Sequence, residues 1–143
     1  MNANLTTGRK SEYAVSLGER DFHVTVETYP EDSGYNAWQT WVKVEEHVYP
    51  PVGSGWDRSV FPSTQICEPC NDLDAIRDAF REVWNRLRTC ARSCKQYRDW
   101  AAMETGGKRG YYTKHGNYWA KQLPLRGEEW KLCKALWKEM TKL

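Results

Sequence analysis

The chain has 143 residues, 21 Lys/Arg against 19 Asp/Glu and five cysteines. That length suits a single domain with a core of its own. No stretch approaches the run of about 18 apolar residues that a membrane-spanning helix needs. Met1 to Thr7 carries no apolar run and does not read as a signal peptide, so five cysteines read as reduced thiols in the cytoplasm. An odd count also argues against a complete disulfide framework.

The near-neutral total hides an asymmetry. Residues 1–75 hold five basic and twelve acidic residues, a net of −7, and residues 76–143 hold sixteen and seven, a net of +9. A basic second half is a candidate surface for an anionic partner, unless the two halves neutralise each other. Eight tryptophans and eight tyrosines exceed what a small core needs, so some are expected at the surface as contact residues.

In chain order, residues 1–12 are polar and expected to fray. Residues 13–17 alternate as a first strand, closed by Gly18. Residues 22–29 form the clearest strand, with Phe22, Val24 and Val26 on one face and His23, Thr25 and Glu27 on the other. Residues 30–34 form a turn. Residues 38–48 form a third strand with Val42, Val44 and Val48 on one face. Trp38 and Trp41 fall on opposite faces unless a bulge brings them together. Residues 49–56 form a loop ending on Trp56. Residues 59–66 suggest a fourth strand that Pro62 confines to an edge.

From Asp72 to about Glu104 the pattern changes period. Leu73, Ile76, Phe80, Val83, Leu87, Cys90, Cys94, Tyr97 and Ala101 are spaced three and four apart in strict alternation, as on one face of an α-helix. Arg77, Arg81, Arg88, Arg92 and Lys95 form a basic stripe beside it, and Asn71 or Asp72 supplies the cap. Thirty-three helical residues would extend about 50 Å, against about 35–40 Å across a compact domain of this size. An end or kink is therefore expected between Arg92 and Tyr97. Gly106-Gly107 is a stop.

Residues 105–126 hold basic and aromatic residues and read as a loop, or as a hairpin turning at His115-Gly116-Asn117. A last helix is expected over 128–142, with Trp130, Cys133, Leu136, Trp137 and Met140 inward and Lys131, Lys134, Lys138 and Lys142 as a second basic stripe. Strands first and helices after make an α+β domain: an antiparallel meander of three or four strands, with both helices packed on one face.

The chemistry-bearing residues are few. Cys67-Glu-Pro-Cys70 before a helix resembles the CxPC redox motif of the thioredoxin family, a resemblance confined to four residues. The parallel βαβ units of that family have no counterpart here. Paired with Cys90 and Cys94, the same cysteines suggest a zinc site, but a straight helix would hold the pairs about 27–30 Å apart. A thiol or metal site at Cys67 and Cys70 thus stays as a minor alternative. His23, His47 and His115 lack metal-ligand spacing, and no nucleophile motif or phosphate loop appears.

Neither enzymatic activity nor a cofactor is expected. The leading expectation is a binding module for nucleic acid or for a protein that handles it. Lys108, Arg109, Lys114, Lys121 and Arg126 would carry charge, Tyr112 and Trp119 would stack, and Arg88 and Arg92 would extend the basic surface. An acidic protein surface fits the same charge pattern. The alternative is a small accessory or inhibitor protein, of the kind phages and mobile elements carry, acting through Trp38, Trp41 and Trp56. The three-four seam can also pair with a copy of itself, giving a homodimer through the long helix near Tyr97 and Trp100.

Overall fold

The computed structural model describes residues 9–30, 38–50, 53–66 and 71–142, with only the backbone described at 29, 30, 38, 39, 65 and 66. Five strands, β1 (Arg9–Leu17), β2 (Arg20–Pro30), β3 (Trp38–Val48), β4 (Trp56–Ser59) and β5 (Thr64–Ile66), precede two helices, α1 (Asp72–Met103) and α2 (Arg109–Met140). The architecture is α+β, as the order of periodicities implies. The chain divides into two compact units: residues 1–80 with 135–143, and residues 81–134.

The first unit holds an antiparallel meander in the order β1-β2-β3-β4. Leu17 pairs with Arg20 across the two-residue turn Gly18-Glu19, and Gly18 supplies the left-handed backbone that such turns use, with φ of 62°. Arg9 to Glu12 pair with β2, so residues 9–12 are strand, not a frayed end, and residues 1–8 lie outside the described residues. Side chains of β1 balance there: Lys10 reaches both Glu12 and Glu27.

Alternation sends Val15, Phe22, Val24, Val26, Val42 and Val44 to the interior, each at most 6% exposed. The register sets Val24 opposite Val44 and Val26 opposite Val42, so the valines meet as cross-strand pairs on one face. Thr28 and Thr40 are buried at one end of this face and satisfy each other through a hydroxyl contact of 3.1 Å.

The expected fourth strand divides at Pro62. Both β4 and β5 pair with β3, Ser59 opposite Glu45 and Thr64 opposite Val42. Proline has no N–H for the ladder, so pairing lapses there and Phe61 turns into the core. The last backbone bond before the gap runs from Val60 N to Val44 O.

In this unit the beginning of α1 and the end of α2 pack against the sheet. Phe80 meets Phe61 and Trp137 edge-on, at 6.2 and 6.4 Å between ring centroids. Ala75, Ile76, Ala79, Leu136 and Met140 are buried with them. Asn71 is the cap: its side-chain oxygen accepts the Asp74 amide at 2.9 Å. Asp72, in the first turn, accepts the Tyr13 hydroxyl and pairs with Arg9 at 3.2 Å, which ties β1 to α1.

The second unit is a helical hairpin, and here two expectations are corrected. α1 continues without a break through Arg92–Tyr97. The expected kink rests on taking the whole chain as one compact domain too narrow for a straight helix of this length, whereas residues 81–134 form a unit of their own in which another helix covers the seam. The second correction supplies that helix: residues 109–126 are neither loop nor β-hairpin but the first half of α2, 32 residues long. Trp84 meets Trp130 at 5.1 Å, the Cys90 thiol donates to the Trp119 carbonyl at 3.4 Å, and Tyr97 lies against Tyr112 and His115. These pairings run antiparallel. They occupy the face of α1 that carries Cys90 and Tyr97.

Candidate functional site

The basic character sharpens once the units are known. Residues 81–134 carry 13 Lys/Arg and 5 Asp/Glu, a net of +8. Within this unit Lys95 pairs with Asp99 at 2.7 Å and Arg126 with Glu129. Lys108, Arg109, Lys114, Lys121, Arg88 and Arg92 have no acidic partner among the described residues, and all are exposed.

The two basic stripes do not line a trough between the helices. Arg88, Arg92 and Lys95 stand on the exposed side of α1, opposite the buried Cys90 and Cys94. The cations of α2 that converge are Arg109, Lys114 and Lys121. Together with Gly110, Thr113, Asn117 and Tyr118 they line an open shelf of about 760 Å³ on the surface of the hairpin. The absence of a side chain at Gly110 leaves its floor clear, and an added Cβ there would meet nothing within 4 Å.

The aromatic assignments change with the helix. Tyr112 and Trp119, expected to stack on a ligand, are half-buried positions of the seam. Tyr112 touches Tyr97 and Trp100. Their chain neighbours Tyr111 and Tyr118 point outward instead, each 56% exposed. Each is steadied along one side, Tyr111 by Tyr112 and His115 and Tyr118 by Trp119. Sequence reasoning missed both. The signal was present: read back from Met140, the steps Trp137, Cys133, Trp130, Arg126, Leu123, Trp119, Gly116 and Tyr112 alternate three and four throughout. That seam assigns 112 and 119 inward, and so 111 and 118 outward.

Arg126 also leaves the list of ligand-ready cations. It is a seam residue, donating to Glu129 and, at 3.3 Å, to Gln122. A narrower cleft of about 180 Å³ lies across the hairpin, lined by Cys94, Arg98, Ala101, Tyr112, Gly116 and Ala120 among others. Gly116 opens it: a Cβ there would sit 3.5 Å from the Tyr97 Cβ.

The thiols fill the interior. Cys90, Cys94 and Cys133 are free and buried, and burial pushes the Cys133 thiol up to about 12. A thiol so held is a small hydrophobe, not a nucleophile. Among the described residues no group of His, Cys, Asp and Glu is placed to hold a metal ion. Cys67 and Cys70 lie outside the described residues.

On the sheet, Trp56 and Tyr49 are exposed at neighbouring positions, 57% and 63%. Trp41 is half-buried, and the Trp38 side chain lies outside the described residues. Tyr49 packs edge-on to His47, which meets Asp57 at 2.9 Å. Among the described residues no helix is long and apolar enough to cross a membrane. Compared with known protein families, curated proteins and solved structures, the chain matches none.

Proposed function

We propose that the protein is a non-enzymatic binding module that engages a polyanionic partner through the outer face of α2. One observation supports this above others: Arg109, Lys114 and Lys121 converge on one open shelf with no acidic partner among the described residues. Unpaired cations held in one place raise the local concentration of an anionic ligand and release counterions when it binds. Arg88 and Arg92, on the outer side of α1, add to the positive charge of this unit. Nucleic acid is the polyanion whose chemistry also uses the exposed tyrosines, and buried, protonated thiols suit a reducing cytoplasm.

The test is binding of a short labelled oligonucleotide at about 50 and 200 mM salt. Three to four phosphate contacts should weaken binding by roughly tenfold or more over that range, and Lys114→Gln with Lys121→Gln should flatten the slope. Absence of binding at low salt removes the reading.

A second reading has its own observation. Trp56 and Tyr49 are large exposed aromatics at one end of the sheet, and Trp56 suits a protein contact made by a small accessory or inhibitor protein. Trp56→Ala would abolish capture of such a partner and leave oligonucleotide binding unchanged.

A further inference from the structure

Within α2 a four-residue pattern occurs twice, seven residues apart: Tyr111-Tyr112-Thr113-Lys114 and Tyr118-Trp119-Ala120-Lys121. Each copy is an exposed tyrosine, a seam aromatic, a small residue and an exposed lysine. Seven residues are nearly two turns of helix, so the second copy lies over the first with a drift of only about 20° and a rise of about 10.5 Å. Helical geometry therefore makes a ladder of two like rungs, each with a flat ring and a cation. Both tyrosines are 56% exposed, and each is held by neighbouring rings, Tyr111 by Tyr112 at 5.7 Å and His115 at 4.2 Å and Tyr118 by Trp119 at 5.3 Å. The shelf includes Tyr118 with both lysines, and Arg109 stands at its near end.

We infer that this ladder is a platform for single-stranded nucleic acid, with bases stacking on Tyr111 and Tyr118 and phosphates meeting Lys114, Lys121 and Arg109. The inference rests on the polyanion reading and narrows it. A duplex hides its base faces, and a run of acidic side chains has no rings of its own to stack, so neither matches alternating tyrosines and cations as a single strand does. A single strand presents both groups at every nucleotide. A strand that kept the spacing of about 3.4 Å per nucleotide found in a duplex would place about three nucleotides between the rungs. A tyrosine face accepts any base, so little sequence preference is expected.

The experiment compares a twelve-residue oligo-dT, a mixed-sequence duplex of equal length, inorganic polyphosphate and polyglutamate as probes of the full chain. The variants are Tyr111→Leu/Tyr118→Leu, Tyr111→Phe/Tyr118→Phe and Lys114→Gln/Lys121→Gln, each checked for unchanged helical content. Loss of each stacked ring should weaken oligo-dT binding about tenfold. The leucine variant should leave polyphosphate binding unchanged, and the phenylalanine variant should bind oligo-dT like the parent. The lysine variant should weaken both probes. If the leucine variant binds oligo-dT as tightly as the parent, or if duplex or polyglutamate is preferred, the platform is overturned while the polyanion reading survives. If neither oligo-dT nor polyphosphate binds, both fall together.

Discussion

At the scale of single residues, two glycines separate steric clash from backbone strain. A Cβ on Gly55 would lie 2.3 Å from His47 Nε2 and 2.6 Å from the Val48 carbonyl oxygen. A side chain can rotate away, but the β3 backbone cannot. Gly55→Ala should therefore cost about 1–3 kcal/mol, the range for forced overpacking, read as a lower urea midpoint at unchanged slope. Gly18 has open space around it but a φ of +62°, so Gly18→Ala carries strain alone, about 1 kcal/mol. Glu46 gives the pH dependence. It is 7% exposed and takes two bonds from Arg20, at 2.7 and 3.0 Å, and one from Arg58 at 2.8 Å. The Arg20 bonds, with those of Arg58, hold its carboxyl below the ordinary glutamate value against the upward push of burial. A carboxyl lower in the folded than in the unfolded chain stabilises fully above its unfolded value and loses that contribution as pH falls through its folded one. Thermal unfolding followed from pH 7 to pH 3 should show this loss, and Glu46→Gln should flatten the acid limb while lowering the melting temperature at pH 7.

Elements differ in how openly the sequence declares them. β2, β3 and α1 were legible because strong strand and helix formers fill the periodic positions, and because Asn71 caps α1. The first half of α2 was obscured by its own composition. Gly110, Gly116, Pro124 and Gly127 all disfavour a helix, and Lys108 and Arg109 stand at the end where the helix dipole favours acids. Tertiary contacts with α1 outweigh these local terms: Cys90 on Trp119, Tyr97 on His115 and Trp84 on Trp130 fix the register. The shelf was half legible for the same reason. Its cations were found from composition, but the outward tyrosines depend on a helix that local propensity denies. Pro124 makes the conflict measurable. Without an N–H it leaves the Ala120 carbonyl without its helical donor, a defect worth up to about 3 kcal/mol. Pro124→Ala should raise the guanidinium midpoint, by about 1–3 kcal/mol in stability. A lower midpoint would mean that packing around Pro124 depends on the proline ring.

Across the molecule, charge is sorted by unit. Residues 81–134 carry a net of +8 and the remaining residues a net of −6. The acidic residues of the first unit are largely engaged at home: Glu46 with two arginines, Glu45 with Lys43, Glu12 and Glu27 with Lys10, Asp72 with Arg9. In the second unit Arg88, Arg92, Lys108, Arg109, Lys114 and Lys121 have no acidic partner among the described residues, so they repel one another, and that repulsion is the energetic counterpart of a surface kept ready for a polyanion. The consequence is a salt signature. At low ionic strength Lys114→Gln/Lys121→Gln should stabilise the protein by about 0.5 kcal/mol, the scale of surface like-charge pairs. At about 1 M salt, where the screening length falls to about 3 Å, the gain should vanish. Inorganic polyphosphate should raise the parent melting temperature by mass action and raise the variant's less. A variant destabilised equally at every salt concentration would instead place the two lysines among the structural supports of α2, with no repulsion for a ligand to relieve.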